Sequence, residues 1–386
     1  VYHHIKHQID KNIIKDGEKL KTVRELSKLL HVNNVTIVNA YRKLESEGYA
    51  VSKPGNGTYA KRRESFLKLN RQYSSFIKRM SVEMMKNYID FSGESTSSFF
   101  LPVDRFKSVL NEILDRDGAN ALIYQDLIGY KGLRNSINNC FWDGKININN
   151  ILIVSGAQQG IDVVSKALLN VNDNVIVEKP TYNGALSVFR WRRVNIFEIE
   201  VNDKGIDTEK FEEVLKKHKI KLFYTMSYFQ NPTTISYSKE VKEKILYLAE
   251  KYDFYIVEDD YLSELIFDSN IKYNSFKSLD KFNRVIYIKS FSKIFLPGIR
   301  LGYLVSPDKF CEVIQNSKIN TDIATSSLMQ RALDIFLERN YWDENLKILK
   351  DLYEKRYNFM NDYMNEVFKG IASFKSPGGG LNFYIK

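Results

Sequence analysis

Cysteine is scarce in this chain, and long apolar runs are missing from it. Cys140 and Cys311 are the only cysteines among 386 residues and lie far apart in sequence. This argues against a disulfide framework and against a cysteine-based zinc site, and it predicts a reducing cytoplasm as the compartment. No stretch approaches the roughly 20 apolar residues of a membrane span, and the first residues carry no apolar signal segment.

Positive charge is concentrated at the N-terminal end of the chain. Of 57 Lys and Arg residues and 47 Asp and Glu residues, residues 1–88 hold 18 and 8, so this part carries the whole formal net charge of +10. The rest of the chain is formally neutral. A basic head on a neutral body predicts a polyanion-binding module joined to a second unit.

Three helical patterns occupy the first 47 residues. A four-residue repeat of isoleucine at Ile5, Ile9 and Ile13 predicts a first helix. Thr22 and Glu25 are spaced as a capping box, which predicts that a second helix begins there. A third helix is predicted from about residue 34 to residue 47. Its inner face is predicted at Val35, Val38, Tyr41 and Leu44. Of the histidines, His3, His4 and His7 lie on the exposed side of the first helix, where solvated side chains are expected rather than metal ligands.

A short hairpin follows the third helix. Residues 50–53 and 58–60 read as strands around the turn Pro54-Gly55-Asn56-Gly57. Three helices and a hairpin predict a winged helix-turn-helix. Nearly all of residues 2–62 resemble the GntR family of bacterial regulators, through Val-Arg-Glu-Leu-x-x-x-Leu-x-Val, a Thr-x-x-x-Ala-Tyr helix and a Gly-x-Gly-Thr wing.

The GntR resemblance implies contacts with double-stranded DNA. The third helix would enter the major groove and the wing would approach the minor groove or backbone. The residues implied are Thr22, Arg24, Asn34, Thr36, Lys53 and Gly57. The sequence departs from the family at Asn33-Asn34, where relatives commonly have Ser-Arg. The base preference of relatives therefore does not transfer, because that arginine would contact phosphate or guanine.

Residues 63–88 are predicted to be a basic linker, and residues 89–386 a large second domain. In this domain, strand-like runs alternate with amphipathic segments such as residues 239–252, which predicts a mostly parallel sheet covered by helices on both faces. The strand-like runs are Ile151–Val154, Asn174–Val177, Lys221–Thr225, Phe254–Val257 and Arg284–Ile288. Ligands of such sheets bind at the carboxyl ends of the strands.

The segment Ser290-Phe291-Ser292-Lys293, followed by Pro-Gly-x-Arg-x-Gly, comes directly after the last of these runs. An amine at the end of a buried strand can be desolvated and is suited to carbonyl chemistry, while hydroxyls and a cation suit a phosphate. This segment resembles the lysine segment of fold type I pyridoxal phosphate (PLP) aminotransferases. Further segments support the resemblance in the expected order, at 124–129, 155–160, 178–182, 230–234 and 255–261.

The resemblance implies a PLP site with Lys293 as the Schiff-base residue. The implied cofactor-binding residues are Ala157, Gln158, Tyr182, Asn231, Asp259, Tyr261, Ser290, Ser292, Lys293 and Arg300, with Tyr124 reaching the site of a partner subunit in a homodimer. The loop at 231–234 departs from the family, because Thr234 replaces the usual Gly.

The acidic run Glu258-Asp259-Asp260 leaves one assignment open. A pyridinium nitrogen needs a buried anion, and we assign Asp259 to it with Asp260 as the alternative, since spacing alone does not separate them. A metal site is the rival interpretation. Against it, neighbouring strand residues point to opposite faces and no histidine accompanies them.

A GntR-type head joined to an aminotransferase-like body resembles the MocR-type regulators. The expected fold is therefore α/β, with an N-terminal winged helix-turn-helix and a large PLP-dependent aminotransferase fold type I domain. The expected function is transcriptional regulation by a body that senses PLP or an amine or amino-acid effector. Two alternatives are a working aminotransferase with an accessory DNA domain, and a scaffold that no longer binds cofactor.

The sequence ends at Lys386, before the position of the arginine that pairs with the substrate carboxylate in the family, and it begins at Val1 without a Met. We expect the chain to be clipped at both ends. The identity of an effector, the regulated genes and the direction of regulation do not follow from the sequence.

Overall fold

The structure, a computed structural model, describes residues 1–53, 55–61, 101–124 and 126–385. The predicted linker at residues 63–88 lies outside the described residues, as does Pro54 of the predicted turn. The chain divides into two compact units, which are described separately below.

The N-terminal unit contains three helices and a two-stranded hairpin, as predicted. Their bounds are α1 Tyr2–Asp10, α2 Val23–Leu30, α3 Asn34–Ser46, β1 Ala50–Lys53 and β2 Gly57–Ala60. The strands are antiparallel, with Ala50 opposite Ala60 and Lys53 opposite Gly57. This is the winged helix-turn-helix that the sequence predicts.

Side-chain caps set the starts of α2 and α3. Thr22 Oγ1 accepts from the Glu25 backbone N–H at 3.3 Å, while Glu25 Oε2 accepts from the Thr22 backbone N–H at 2.9 Å. The capping box is therefore confirmed. The side chain of Asn33 caps α3 by accepting from the Val35 backbone N–H at 2.9 Å.

The core of the head differs in part from the prediction. Ile5 and Ile9 are buried, but Ile13 lies beyond α1 and is 65% exposed. Val35 was predicted to face inward and is 61% exposed, because a spacing of three residues drifts around a helix of 3.6 residues per turn. The residues of α3 that are buried are Ile37, Ala40, Tyr41 and Leu44.

The second unit is built on an eight-stranded sheet. Its strands are β3 Ile151–Val154, β4 Asn174–Lys179, β5 Asn195–Asn202, β6 Gly205–Ile206, β7 Leu222–Thr225, β8 Tyr255–Asp260, β9 Val285–Ser290 and β10 Gly302–Val305. The order across the sheet is β3-β10-β9-β8-β7-β4-β5-β6. Strands β4, β7, β8 and β9 are parallel, and β10 is antiparallel to both of its neighbours, β3 and β9.

Helices pack against both faces of this sheet. On one face α6 brings Gly160 against Ile288, and α7 brings Phe189 against Tyr224. On the other face, apolar side chains of α8, α9 and α10 form a buried cluster with the strands. The helices of the unit are α4 Val103–Asp117, α5 Lys131–Trp142, α6 Ala157–Leu168, α7 Asn183–Arg192, α8 Thr208–Lys217, α9 Lys239–Lys251, α10 Phe276–Leu279, α11 Cys311–Asp322, α12 Ser327–Glu338 and α13 Tyr341–Val367.

The strand directions bring the chemically interesting segments to one edge. Because β3 and β9 are both antiparallel to β10, the strands β3, β4, β7, β8 and β9 all run the same way and end at the same edge of the sheet. The α/β class and the mostly parallel sheet are thus confirmed. Among the helices in the described ranges, none is both long and apolar enough to cross a bilayer.

Candidate functional site

A cradle for an anion lies where β3 leads into α6. Gly156 caps this helix with a φ of 91°, a backbone conformation that side chains rarely adopt. A Cβ atom added to Gly156 would lie 2.9 Å from Nη2 of Arg300, so glycine also permits close approach of the guanidinium. Ala157 and Gln158 form the first turn of α6, where backbone N–H groups lack partners within the helix.

Serine hydroxyls and the arginine complete this cradle. Arg300 Nη1 donates to Ser292 Oγ at 3.1 Å, and Nη2 donates to the Ser155 carbonyl at 3.4 Å. The Ser292 backbone N–H donates to Ser290 Oγ at 3.2 Å. The structure therefore brings together Gly156, Ser290, Ser292 and Arg300. A helix N-terminus beside a guanidinium and hydroxyls is suited to a phosphate dianion.

Tyr182 lies next to the same helix. Its hydroxyl donates to Gln158 Oε1 at 3.2 Å, and Gln158 Nε2 donates to the Gly184 carbonyl at 3.1 Å. The Tyr182 ring is half-buried in the segment between β4 and α7. Two residues implied by the resemblance are thus in direct contact.

Asp259 is the next-to-last residue of strand β8, and only one of its two carboxylate oxygens has a hydrogen-bond donor among the described residues. Oδ2 accepts from the Tyr224 hydroxyl at 2.8 Å, whereas the buried Oδ1 has no hydrogen-bond partner among the described residues. Burial raises the pKa of the Asp259 carboxyl to about 7. A buried carboxylate oxygen without a donor is a place for a ligand cation or N–H.

Asp260, the alternative partner for a ring nitrogen, lies on the opposite face of the sheet, where protein donors already bind its carboxylate. Its oxygens accept from Ser263 at 2.7 Å, Tyr273 at 2.7 Å and Tyr287 at 2.8 Å, and Lys289 Nζ lies 3.3 Å away. Burial would raise its pKa, but the Lys289 ammonium and these donors hold the pKa below its ordinary value. The strand pleat therefore separates two residues that spacing alone left equivalent.

The remaining predicted residues are placed as follows. Lys293 is half-buried in the turn three residues after the end of β9. Asn231 is half-buried beside the cis Asn231–Pro232 bond. The Tyr261 hydroxyl donates to the Phe229 carbonyl at 2.8 Å, whereas the sequence predicts donation to a ring hydroxyl. Tyr124 is 76% exposed.

Sequence reasoning missed a buried clamp beneath the site. Glu178 Oε1 accepts from Thr225 at 2.6 Å and from Tyr237 at 2.8 Å, and Oε2 accepts from Gln230 Nε2 at 2.9 Å. Burial raises the pKa of Glu178 to about 7. Glu178 and Gln230 both lie in segments that the sequence analysis singles out, at 178–182 and 230–234. The signal that could have identified Glu178 is a charged residue near the end of an otherwise apolar strand.

The alternative interpretation of the acidic run, a metal site, has no supporting arrangement of side chains in the part of the chain that the structure describes. No group of three or more His, Cys, Asp and Glu side chains there is arranged to hold a metal ion. Glu258 is instead engaged by Ser227 Oγ at 2.6 Å and by the Phe276 and Lys277 backbone N–H groups.

The head presents all six predicted DNA-contact residues to solvent. The exposed residues are Thr22, Arg24, Asn34, Thr36, Lys53 and Gly57. Tyr41 is buried and its hydroxyl donates to the Lys21 carbonyl at 2.6 Å, so it packs inside, as predicted. Lys53 Nζ lies 4.8 Å from the centre of the Tyr59 ring on the neighbouring strand of the wing.

Comparison with known families assigns both parts of the chain. Residues 97–383 match the family model described as aminotransferase class I and II, and residues 1–60 match that of the bacterial regulatory proteins of the gntR family. A helix-turn-helix domain of this type in front of an aminotransferase domain is the arrangement of MocR-type regulators.

Individual relatives fall into both groups. A protein of Saccharolobus solfataricus that is named an uncharacterized aminotransferase is 31% identical over 304 residues, which cover 77% of this chain and 76% of the relative. The HTH-type transcriptional regulator NorG of Staphylococcus aureus is 28% identical over 385 residues, covering 95% and 86%. The crystal structure of Pyrococcus horikoshii kynurenine aminotransferase has a TM-score of 0.76 and 28% identity, covering 82% of this chain and 80% of that one.

Class I aminotransferases are in general PLP-dependent, and the residues present fit that group. The cradle at Gly156, Ser292 and Arg300 offers N–H, hydroxyl and guanidinium donors for a phosphate. The uncommitted Oδ1 of Asp259 offers an acceptor for a ring N–H. These two features lie at the same edge of the sheet, where such folds bind ligands.

Proposed function

This chain belongs to the aminotransferase class I and II family, and from that premise we propose that it is a PLP-dependent, DNA-binding transcriptional regulator. The observation that carries the proposal is the buried, uncommitted Oδ1 of Asp259 in a chain that also begins with a winged helix-turn-helix. A desolvated carboxylate oxygen without a donor costs folding free energy, and a bound cofactor with an N–H group would offset that cost.

In this proposal the body holds PLP through its own residues. Ser290, Ser292 and Arg300, with the α6 N-terminus, bind the phosphate, and Asp259 accepts from the ring nitrogen. Tyr182 covers the ring face, Asn231 and Tyr261 lie beside the ring hydroxyl, and Lys293 provides the amine for covalent attachment. PLP bound in this way supplies an electrophilic carbon that reacts with amines.

The head binds operator DNA through its exposed residues. Arg24 and Thr22 at the start of α2 contact backbone or base, Asn34 and Thr36 on α3 enter the major groove, and Lys53 with Gly57 forms the wing contact. With Asn33 acting as the cap of α3 and Asn34 in place of arginine, base reading from this turn relies on amide groups, which suit adenine.

The protein is proposed to act as a cytoplasmic homodimer with shared cofactor sites. Tyr124 is 76% exposed, and its neighbours Leu122 and Ile123 are 67% and 55% exposed. Three exposed apolar side chains in succession are suited to burial against a second copy. We also propose the domain limits 1–62 and 89–386, with 63–88 as the linker.

Regulation requires that PLP, or an amine that reacts with it, binds two arrangements of the dimer unequally. Only differential affinity shifts the population toward or away from the DNA-binding arrangement. Vitamin B6 and amines are therefore the effector classes to test.

The test is fluorescence anisotropy of the protein on DNA from its own upstream region, without PLP, with PLP, and with PLP plus amines. We expect PLP to change the affinity or the footprint in the wild type, and to change neither in Lys293→Ala, which loses covalent attachment. Specific binding that no ligand alters would contradict the proposal.

A working aminotransferase with an accessory DNA domain is the second candidate. It is favoured by relatives that are named aminotransferases and by the presence of both Lys293 and the phosphate cradle. Release of a keto acid from an amino acid at catalytic turnover, abolished in Lys293→Ala, would establish this function.

A further inference from the structure

Strand register places Tyr224 and Asp259 on the same face of the sheet. In the parallel pair β7–β8, Tyr224 is the partner of Val257. Side chains two residues apart on a strand point to the same face, so Asp259 shares the face of Val257 and of Tyr224. The result is the 2.8 Å hydrogen bond from the Tyr224 hydroxyl to Asp259 Oδ2.

Packing around Tyr224 restricts its hydroxyl to one hydrogen-bond acceptor. Its side chain is fully buried, and its ring packs edge-on against Phe189 at a centroid distance of 5.8 Å. The hydroxyl is therefore held on Oδ2 by packing in the middle of the sheet, and Oδ1 is the oxygen that stays uncommitted.

We propose that Tyr224 is a positioning residue for the cofactor: it fixes Asp259 so that Oδ1 accepts from the ring nitrogen of PLP, and it keeps the Asp259 carboxylate ionised so that the proton resides on that nitrogen. This inference rests on the proposed PLP site, and it adds a residue from the centre of β7 that no binding motif contains.

The charges around Asp259 give the direction of the effect. Burial raises its pKa most, and the hydroxyl of Tyr224 acts against this by stabilising the ionised form; Asp260 and Glu178 raise the pKa and Lys289 lowers it. Without the hydroxyl, burial and the two carboxylates still raise the pKa of Asp259, and Lys289 still lowers it. The carboxyl then holds a proton more tightly, and the proton moves from the ring nitrogen to Asp259.

The experiment follows the ring nitrogen directly, with PLP labelled with ¹⁵N at the ring position and bound to the full chain. Three proteins are compared: wild type, Tyr224→Phe and Tyr287→Phe. Tyr287 is the matched control because its buried hydroxyl donates to Asp260 Oδ2, also at 2.8 Å, on the other face of the sheet. Melting curves of both variants show whether they fold.

In Tyr224→Phe we expect the ¹⁵N shift to move toward that of neutral pyridine. The dissociation constant for PLP should rise about 3- to 10-fold, which corresponds to the net contribution of one ordinary hydrogen bond. Tyr287→Phe is expected to retain the wild-type shift.

Equal shifts in wild type and Tyr224→Phe would overturn the inference while leaving the PLP site intact. Absence of bound PLP in the wild type would overturn the proposed cofactor itself. If Tyr224→Phe fails to fold, Tyr224→Gln, whose smaller side chain also carries an N–H donor, is expected to retain the protonated shift, and a neutral shift in that variant contradicts the inference.

Discussion

The side-chain amide of Gln230 joins two loops of the candidate site through Glu178. Gln230 Nε2 donates to Glu178 Oε2 at 2.9 Å and to the Pro180 carbonyl at 2.8 Å. Its Oε1 accepts from the Thr233 backbone N–H at 2.9 Å. The segment that carries Tyr182 and the loop that carries Asn231 are therefore held by a single buried side chain.

Replacing Gln230 by Ala should weaken PLP binding without unfolding the head. The change removes the acceptor of the Thr233 backbone N–H and leaves Glu178 Oε2 with only the Thr181 hydroxyl at 3.5 Å. Loss of these buried hydrogen bonds costs about 1–3 kcal/mol, so we expect PLP affinity to fall about tenfold or more. Spectrophotometric titration measures it. Gln315→Ala, whose amide donates to the Asn149 carbonyl, is the control and should retain wild-type affinity. Equal PLP affinities for Gln230→Ala and wild type would refute the clamp.

Arg300 is expected to recognise the phosphate and nothing else of the cofactor. Arg300→Ala should therefore weaken binding of PLP about 10- to 100-fold, through loss of charge-assisted hydrogen bonds, and leave binding of pyridoxal, which has no phosphate, unchanged. Arg105→Ala removes an exposed arginine paired with Glu344 and serves as the control. An equal loss of affinity for PLP and pyridoxal would place Arg300 outside the phosphate cradle.

The contribution of Asp259 to the stability of the PLP-free protein should fall as the pH rises from about 4 to 7. Burial raises the pKa of Asp259 from 3.8 to about 7. A carboxyl with a raised pKa contributes stability that is complete below pH 4 and is lost as the pH rises through 7, up to about 4 kcal/mol. Glu178 acts in the same direction.

Urea unfolding of wild type and Asp259→Asn across this pH range isolates the contribution of Asp259. The variant should have the flatter profile. Asp143→Asn is the control, because Asp143 is an exposed residue at a positive φ that asparagine tolerates. Parallel profiles for wild type and Asp259→Asn would show that the carboxyl is not desolvated in solution.

Arg24→Ala should weaken DNA binding and lower its dependence on salt. Arg24 is exposed beside the capped start of α2, and loss of one phosphate contact reduces the slope of log K against log salt by about 0.9. Lys11→Ala, on the exposed end of α1, is the control. Anisotropy between low and high salt measures both quantities, and an unaltered slope with unaltered affinity would remove Arg24 from the interface.

The sequence predicts those parts of the candidate site that depend on neighbouring residues, and it misses those that depend on which strands pair. The junction at Gly156 and the segment at Ser290–Lys293 can be recognised because each is a short run of characteristic residues directly after a strand. Tyr224 does not, because within the apolar run of β7 it reads as core until its partner on β8 is known. For the same reason, spacing alone does not separate Asp259, the assigned residue, from its alternative Asp260.

The helices of the head show the same limit on a smaller scale. The capping box at Thr22 was predicted correctly because it depends on two residues three apart. The buried face of α3 was predicted only in part, since Val35 and Ile37 are both apolar and only tertiary packing selects Ile37.

Gly302 has a consequence for how the protein folds. It pairs with Val154 on one side and with Ser290 on the other, and a Cβ there would lie 3.2 Å from Gly156 Cα and 2.6 Å from the Lys289 carbonyl oxygen. The two halves of the phosphate cradle, distant in sequence, are joined only once β10 has inserted between β3 and β9. Phosphate affinity should therefore appear late in refolding, after this long-range loop has closed, and PLP should stabilise only chains that have completed the sheet.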